Sequence, residues 1–227
     1  MSLETQRARA AIFERIRANQ RRDEAARPLE AEAARDYLVR HPAGPRPADS
    51  DELLERFEAM SRRMASTVVR VGRVQDAPVA VAAYLAEQGI LPSAVVWPAL
   101  ARLGWAEAGI AAAARAPRFD ESAGSDAVGI TGAFCALAET GTLVLLSGAE
   151  TPASTHLLPE THIAILPASR IVADMEAAFA LMRAEVGELP RAVNMVSGPS
   201  RTGDIEQTIV LGAHGPYRVH IIIATAE

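Results

Sequence analysis

The chain has 227 residues, of which 49% are hydrophobic, 22% charged and 4% aromatic, with a formal charge of −5. Its one cysteine, Cys135, excludes an intrachain disulfide and any metal cluster built from several thiolates of this chain. All 23 basic residues are arginines, which excludes Schiff-base, P-loop and general-base lysines, and the acidic balance argues against binding nucleic acid.

The first 28 residues are rich in arginine and acids and lack the apolar stretch of a secretory signal. No run approaches the ~20 apolar residues that cross a bilayer, so a cytoplasmic protein with no membrane contact is expected. Residues 1–63 read as a helical N-terminal extension. Ile12, Phe13 and Ile16 form a short apolar patch, and Leu53, Leu54, Phe57, Met60 and Met64 follow helical spacing. Residues 41–51 hold three prolines and a glycine and read as a loop, with Asp49 or Ser50 as the helix cap that follows.

From residue 66 the rhythm changes, and 64–227 reads as one α/β domain. STVVRVG (66–72) is strand-like, APVAVAAYLAEQGI (77–90) helical and SAVVW (93–97) a buried strand. A short alanine-rich helix with a turn at Gly104 is expected next. Strands follow at 127–132, at 134–146 with a break at Thr140-Gly141-Thr142, and at 162–167. A long amphipathic helix is expected over 171–187, then strands at 192–198 and 218–224. Short apolar runs alternating with helices predict a mainly parallel sheet with flanking helices.

Three glycine-rich corners lie at strand ends, where ligands collect in such sheets. In AETGT, Glu139 can act as base, nucleophile or hydroxyl acceptor beside Thr140, Gly141 and Thr142; alternatively this is a tight hairpin with Gly141 at positive φ. In SGPSRTGDIE, Ser197, Ser200 and Thr202 offer hydroxyls, Gly198 permits close approach and Arg201 offers a planar cationic fork for a carboxylate or phosphate. Asp204 and Glu206 can orient that arginine; a solvated turn with an internal ion pair is the simpler alternative. In LGAHGP, His214 precedes Gly215 on a bent backbone and suits a proton shuttle or an anion contact. His156 and His162, six residues apart, match no familiar zinc spacing. His220 falls within a strand, and Cys135 reads as a small buried hydrophobe.

In order and spacing, GITGAFCALAETGTLVLL, LPETHIAILP, SGPSRTGDIEQTIVLGAHGP and RVHIII resemble the LUD domain family, and within it the lactate-utilization protein C type. The resemblance is strong over 125–227. It implies the α/β fold of ribose-5-phosphate isomerase, glucosamine-6-phosphate deaminase and CoA transferases. One departure stands out: similar members read T-G-A-D-F before A-E-T-G-T, whereas this chain has Phe134 and Cys135 in place of the acid and the aromatic residue. The resemblance implies a part in oxidising L-lactate to pyruvate beside separate iron–sulfur subunits, with no cofactor in this chain. The catalytic candidates are Glu139 and His214. The alternatives are a free-standing enzyme on a phosphorylated or CoA-linked metabolite, with Glu139 as nucleophile or base, and a ligand-sensing module.

Overall fold

The apolar runs assemble into a six-stranded, all-parallel sheet in the computed structural model, which describes residues 3–20, 27–42, 44–45, 52–118, 126–203 and 209–226. In spatial order its strands are β1 (Thr67–Val71), β12 (Arg218–Ala224), β7 (Thr161–Pro167), β4 (Val128–Gly132), β2 (Ser93–Val96) and β3 (Ala111–Ala114). The central strand β7 is buried from Thr161 to Leu166, as expected of a parallel strand covered on both faces. Because side chains alternate along a strand, its residues divide cleanly between two layers. Ile163 and Ile165, with Val128, Ile130 and Ile222, face Ala77, Val81, Tyr84 and Leu85 of α4 (Ala77–Glu87). Ala164 and Leu166, with Val219, Ile221 and Ile223, face a second sheet and Phe57 of α3 (Leu53–Arg63).

That second sheet is mostly antiparallel. Its order is β8 (Ile171–Val172), β5 (Cys135–Leu137), β6 (Thr142–Leu146) and β9 (Val193–Val196), with β5 and β6 joined as a hairpin. Helix α6 (Met175–Glu185) covers its outer face through Ala178, packed with Cys135, Leu137 and Val144. Asp174 caps α6, its carboxylate accepting from the Ala177 amide at 2.8 Å. A short turn of helix, α5 (Ser154–Leu157), precedes β7, and a two-stranded ribbon pairs β10 (Arg201–Gly203) with β11 (Ile209–Leu211).

Chain contacts divide the protein into two compact units, Met1–Arg46 and Pro47–Glu227. The first holds α1 (Leu3–Gln20) and α2 (Arg27–Arg40), whose described side chains are all exposed. Helix α3 falls in the second unit, with Phe57 fully buried, so the helical stretch read over 1–63 is shared between the two units.

Three local readings need correction. Ala111–Ala114 is the edge strand β3, not a helix: its in-register pairing with Ser93–Val96 outweighs alanine's helical preference. Turns and a short 3-10 helix fill the interval before it. The helix expected over 171–187 starts at Met175, because Ile171 and Val172 pair with Ala136 and Leu137. Helix α3 begins after Glu52, and the proposed caps Asp49 and Ser50 lie outside the described residues.

Candidate functional site

The signature loops gather around the carboxyl end of α3. That end is sharp: Ala65 adopts φ 66°, and Ser66 leads into β1. The tip of the β5–β6 hairpin lies against its last turn. Gly141, at φ 66°, is so close to α3 that a Cβ there would sit 2.4 Å from the Ser61 amide nitrogen. Ser61 is fully buried, and its hydroxyl donates back to the Gly141 carbonyl at 3.5 Å. The loop after β9 closes on the next residues. A Cβ on Gly198, at φ 80°, would meet the Met64 carbonyl at 2.1 Å.

Three hydroxyls link the two loops. Thr140 Oγ1 and Thr142 Oγ1 are 2.6 Å apart, and Thr142 Oγ1 lies 2.7 Å from Ser197 Oγ. The antiparallel pairing of Leu143 with Val196 sets Thr142 beside Ser197 and produces this contact. Ser200 extends the group to the third loop, donating its amide to Pro216 at 2.8 Å and accepting from the Gly212 amide at 2.9 Å. Gly215 sits over the Ser200 side chain. Arg201 is exposed and reaches the Met64 carbonyl at 3.4 Å, so its guanidinium also serves the orphaned carbonyls at the end of α3.

Thr140, Gly141, Thr142, Ser197, Gly198, Ser200, Arg201 and Gly215 are thus joined by one run of contacts. The run lies where β1 and β12 begin, the amino-terminal edge of the parallel sheet, whereas open α/β sheets hold ligands at the carboxyl-terminal edge. Glu139 is half-buried on the hairpin, its amide bonded to the Ala173 carbonyl at 3.0 Å. His214 is exposed in the third loop. Thr202 lies on β10, paired with Val210. Asp204 and Glu206 are outside the described residues.

Sequence reasoning missed Ser61 and Met64. The signal was present in the helical spacing of Phe57, Met60 and Met64, which turns that face of α3 inward and carries Ser61 with it.

The remaining polar candidates have other contacts. Cys135 is fully buried, and desolvation pushes its thiol up to about 11, the opposite of an activated nucleophile. Phe134 stacks under the Arg170 guanidinium at 4.8 Å, and Arg170 forms an ion pair with Glu185 at 2.8 Å. His220 packs flat on Tyr84 with ring centroids 4.0 Å apart and bonds Thr67 at 2.8 Å. Among the described residues no three His, Cys, Asp or Glu side chains group as metal ligands, and no helix is long and apolar enough to cross a membrane.

The chain resembles known proteins at two levels. "Lactate utilization protein C" of Geobacillus kaustophilus is 41% identical over 101 residues, covering 43% of this chain and 42% of that protein. The protein of the same description from Halalkalibacterium halodurans is 44% identical over 109 residues, 47% of each chain. These matches span less than half the length of the relatives. A DUF162 family protein from Deinococcus radiodurans shares the fold, with a TM-score of 0.58 and 24% identity over 79% of this chain and 100% of that one. The model of the LUD domain matches residues 54–224, from α3 to the last residue of β12, and the chain belongs to that family.

Proposed function

We propose that this chain is an accessory, ligand-binding subunit of an L-lactate utilization system. In this reading, lactate is oxidised to pyruvate by iron–sulfur partner subunits in the cytoplasm. The observation that carries it is the 41% identity, over 101 residues, to a protein named for lactate utilization. The division of labour rests on the side chains present: with one buried thiol, this chain has no ligand set for an iron–sulfur cluster of its own.

The loops at the end of α3 are the proposed contact site for a small carboxylate or phosphate. Arg201 supplies the positive charge and a two-pronged donor face, since no lysine exists to replace it. Thr140, Thr142, Ser197, Ser200 and Thr202 supply hydroxyls, and Gly141, Gly198 and Gly215 let backbone and ligand approach closely. Glu139 is the proposed acceptor of a ligand hydroxyl and His214 the proposed proton shuttle or anion contact, with Asp204 and Glu206 as proposed partners of the arginine.

The test pairs deletion of the gene with replacement by Arg201→Ala. Deletion is expected to abolish growth on L-lactate and leave growth on pyruvate intact; normal growth on lactate overturns the pathway assignment. A charge-assisted hydrogen bond contributes roughly 1.5–3 kcal/mol, so Arg201→Ala should weaken ligand binding by about 10- to 150-fold. Its melting temperature should barely move, because the bond from exposed Arg201 to Met64 is long. A well-folded Arg201→Ala strain that grows normally on lactate removes the anion site.

A further inference from the structure

Between the parallel sheet and α5 lies a buried polar group that the proposed site does not use. His156 on α5 is 1% exposed and His162 on β7 fully buried, and their ring centroids are 5.8 Å apart. His162 Nε2 lies 2.8 Å from Thr131 Oγ1 on β4. Among the described residues neither nitrogen of His156 has a partner, nor has His162 Nδ1, nor the hydroxyl of fully buried Thr155. Four polar atoms from one short stretch of chain are therefore enclosed without a hydrogen bond. The walls around them are tight. The Trp97 ring stands edge-on to His156 at 6.3 Å, its own N–H donated to the Pro152 carbonyl. Gly129 on β4 lets α5 press onto the sheet, since a Cβ there would sit 1.9 Å from the Thr155 carbonyl oxygen.

Leaving these atoms unpaired is costly. A buried donor or acceptor without a partner costs about 1–3 kcal/mol, and native proteins pair nearly all of them. Direct pairing of the two rings does not occur here. One oxygen making two hydrogen bonds of about 2.8 Å joins polar atoms up to about 5.6 Å apart, and ring nitrogens lie off the centroids, so rings with centroids 5.8 Å apart are within its reach. Burial pushes His156 down to about 4 and His162 to about 3, so both rings are neutral at pH 7. A neutral imidazole offers one donor and one acceptor, the complement of a water molecule. A metal ion finds only two imidazoles here and no acid among the described residues.

We propose that His156, His162 and Thr155 form an internal binding site for water, in which at least one ordered molecule bridges His162 Nδ1 to the α5 side chains. The water fastens α5 to the sheet. It thereby supports the end of α5, where the Leu157 carbonyl oxygen lies 3.9 Å from the Cβ position of Gly215. This makes His-x5-His in THLLPETH a hydration motif rather than a metal motif.

A crystal structure of the full chain at about 1.5 Å, grown near pH 7.5, tests it. The expected result is an oxygen-sized peak within about 3.2 Å of His162 Nδ1 and of at least one His156 nitrogen or Thr155 Oγ1. Empty density there, or an anomalous peak marking a metal, overturns the proposal. Nitrogen-15 spectra of the histidine rings give a second readout that needs no crystal. His162 Nδ1 and the His156 nitrogens should show a fixed tautomer with hydrogen-bonded shifts; the shift of a free ring nitrogen at His162 Nδ1 overturns it equally.

Discussion

Gly198 and Gly141 show what the signature motifs require at the level of single residues. Each has a positive φ, and each would drive a Cβ into backbone of α3, at 2.1 Å from the Met64 carbonyl and 2.4 Å from the Ser61 nitrogen. Backbone cannot swing aside as a flexible side chain can, so an added methyl must move the loop or the helix. Left-handed geometry adds its own 1–2 kcal/mol for a residue with a Cβ. Gly198→Ala and Gly141→Ala are each expected to destabilise by about 3 kcal/mol or more, read as a lower urea midpoint. Gly203→Ala is the control: among the described residues its Cβ meets nothing within 4 Å, and the change should stay within about 0.5 kcal/mol. If Gly198→Ala proves as mild as the control, the closure of the loop on α3 is wrong. These glycines therefore seat the two loops against the end of α3.

Helix α3 is the element on which the site is assembled, and its hold on the sheets rests on Phe57 and an edge network. Arg62 donates to Glu58 at 2.7 Å and to the Val68 carbonyl at 2.8 Å, and Arg70 of β1 donates to Glu58 at 2.7 Å. The Arg62 hydrogen bond, with Arg70 beyond it, holds the Glu58 carboxyl below the usual range. Phe57→Ala empties a fully buried position and should cost about 3–5 kcal/mol, far more than loss of any of these partly exposed ion pairs. Removal of residues 1–46 should take away the helical signal of α1 and α2 and leave a cooperative melt at a nearly unchanged temperature, since the compact unit begins at Pro47. A truncated chain without a cooperative melt would show that the first unit is needed for folding. The strands of the parallel sheet were legible because each is a bounded apolar run, HIAILP and RVHIIIA above all. Ala111–Ala114 was not: four alanines carry no strand signal, and only pairing with β2 decides their state. The strands at 134–146 and 192–198 could be read too, but their assembly into a second sheet could not, because β6 pairs with β9 some 50 residues away, as Leu143 with Val196. For the site, the motif glycines, hydroxyls and Arg201 could be read locally. Their gathering on Ser61 and Met64 is a product of tertiary packing that no spacing within 139–142 or 197–201 encodes.

At the scale of the whole molecule, three buried histidines dictate how stability depends on pH. Desolvation holds His156 at about 4, His162 at about 3 and His220 at about 4, against about 6.5 in an unfolded chain. The neighbouring His156 contributes to the shift of His162, and Arg62 to that of His220, both opposing a further positive charge. The native rings are thus neutral at pH 7, and acid favours the unfolded chain, whose histidines take up protons first. The sign follows from linkage: the unfolded state binds more protons from somewhat above pH 6.5 down to about 4, so stability is full about a unit above pH 6.5 and falls as the pH drops through that window. Each ring should cost roughly 2 kcal/mol at pH 5, and three together approach the 5–15 kcal/mol that holds a typical domain folded. The carboxylates of Glu58, Asp126 and Glu185, held low chiefly by arginine hydrogen bonds, add a loss of the same sign at still lower pH. Urea melts at pH 7.5, 6.5 and 5.5 should give a small drop in midpoint between the first pair and a drop about three times larger from the second to the third. His220→Phe keeps an aromatic ring against Tyr84 and deletes one titrating group, so it should lessen the loss between pH 6.5 and 5.5 by about a third. Equal midpoints at pH 7.5 and 5.5 in the unaltered chain would mean that the rings are accessible to protons while the protein stays folded, and the buried, neutral histidine core would have to be abandoned.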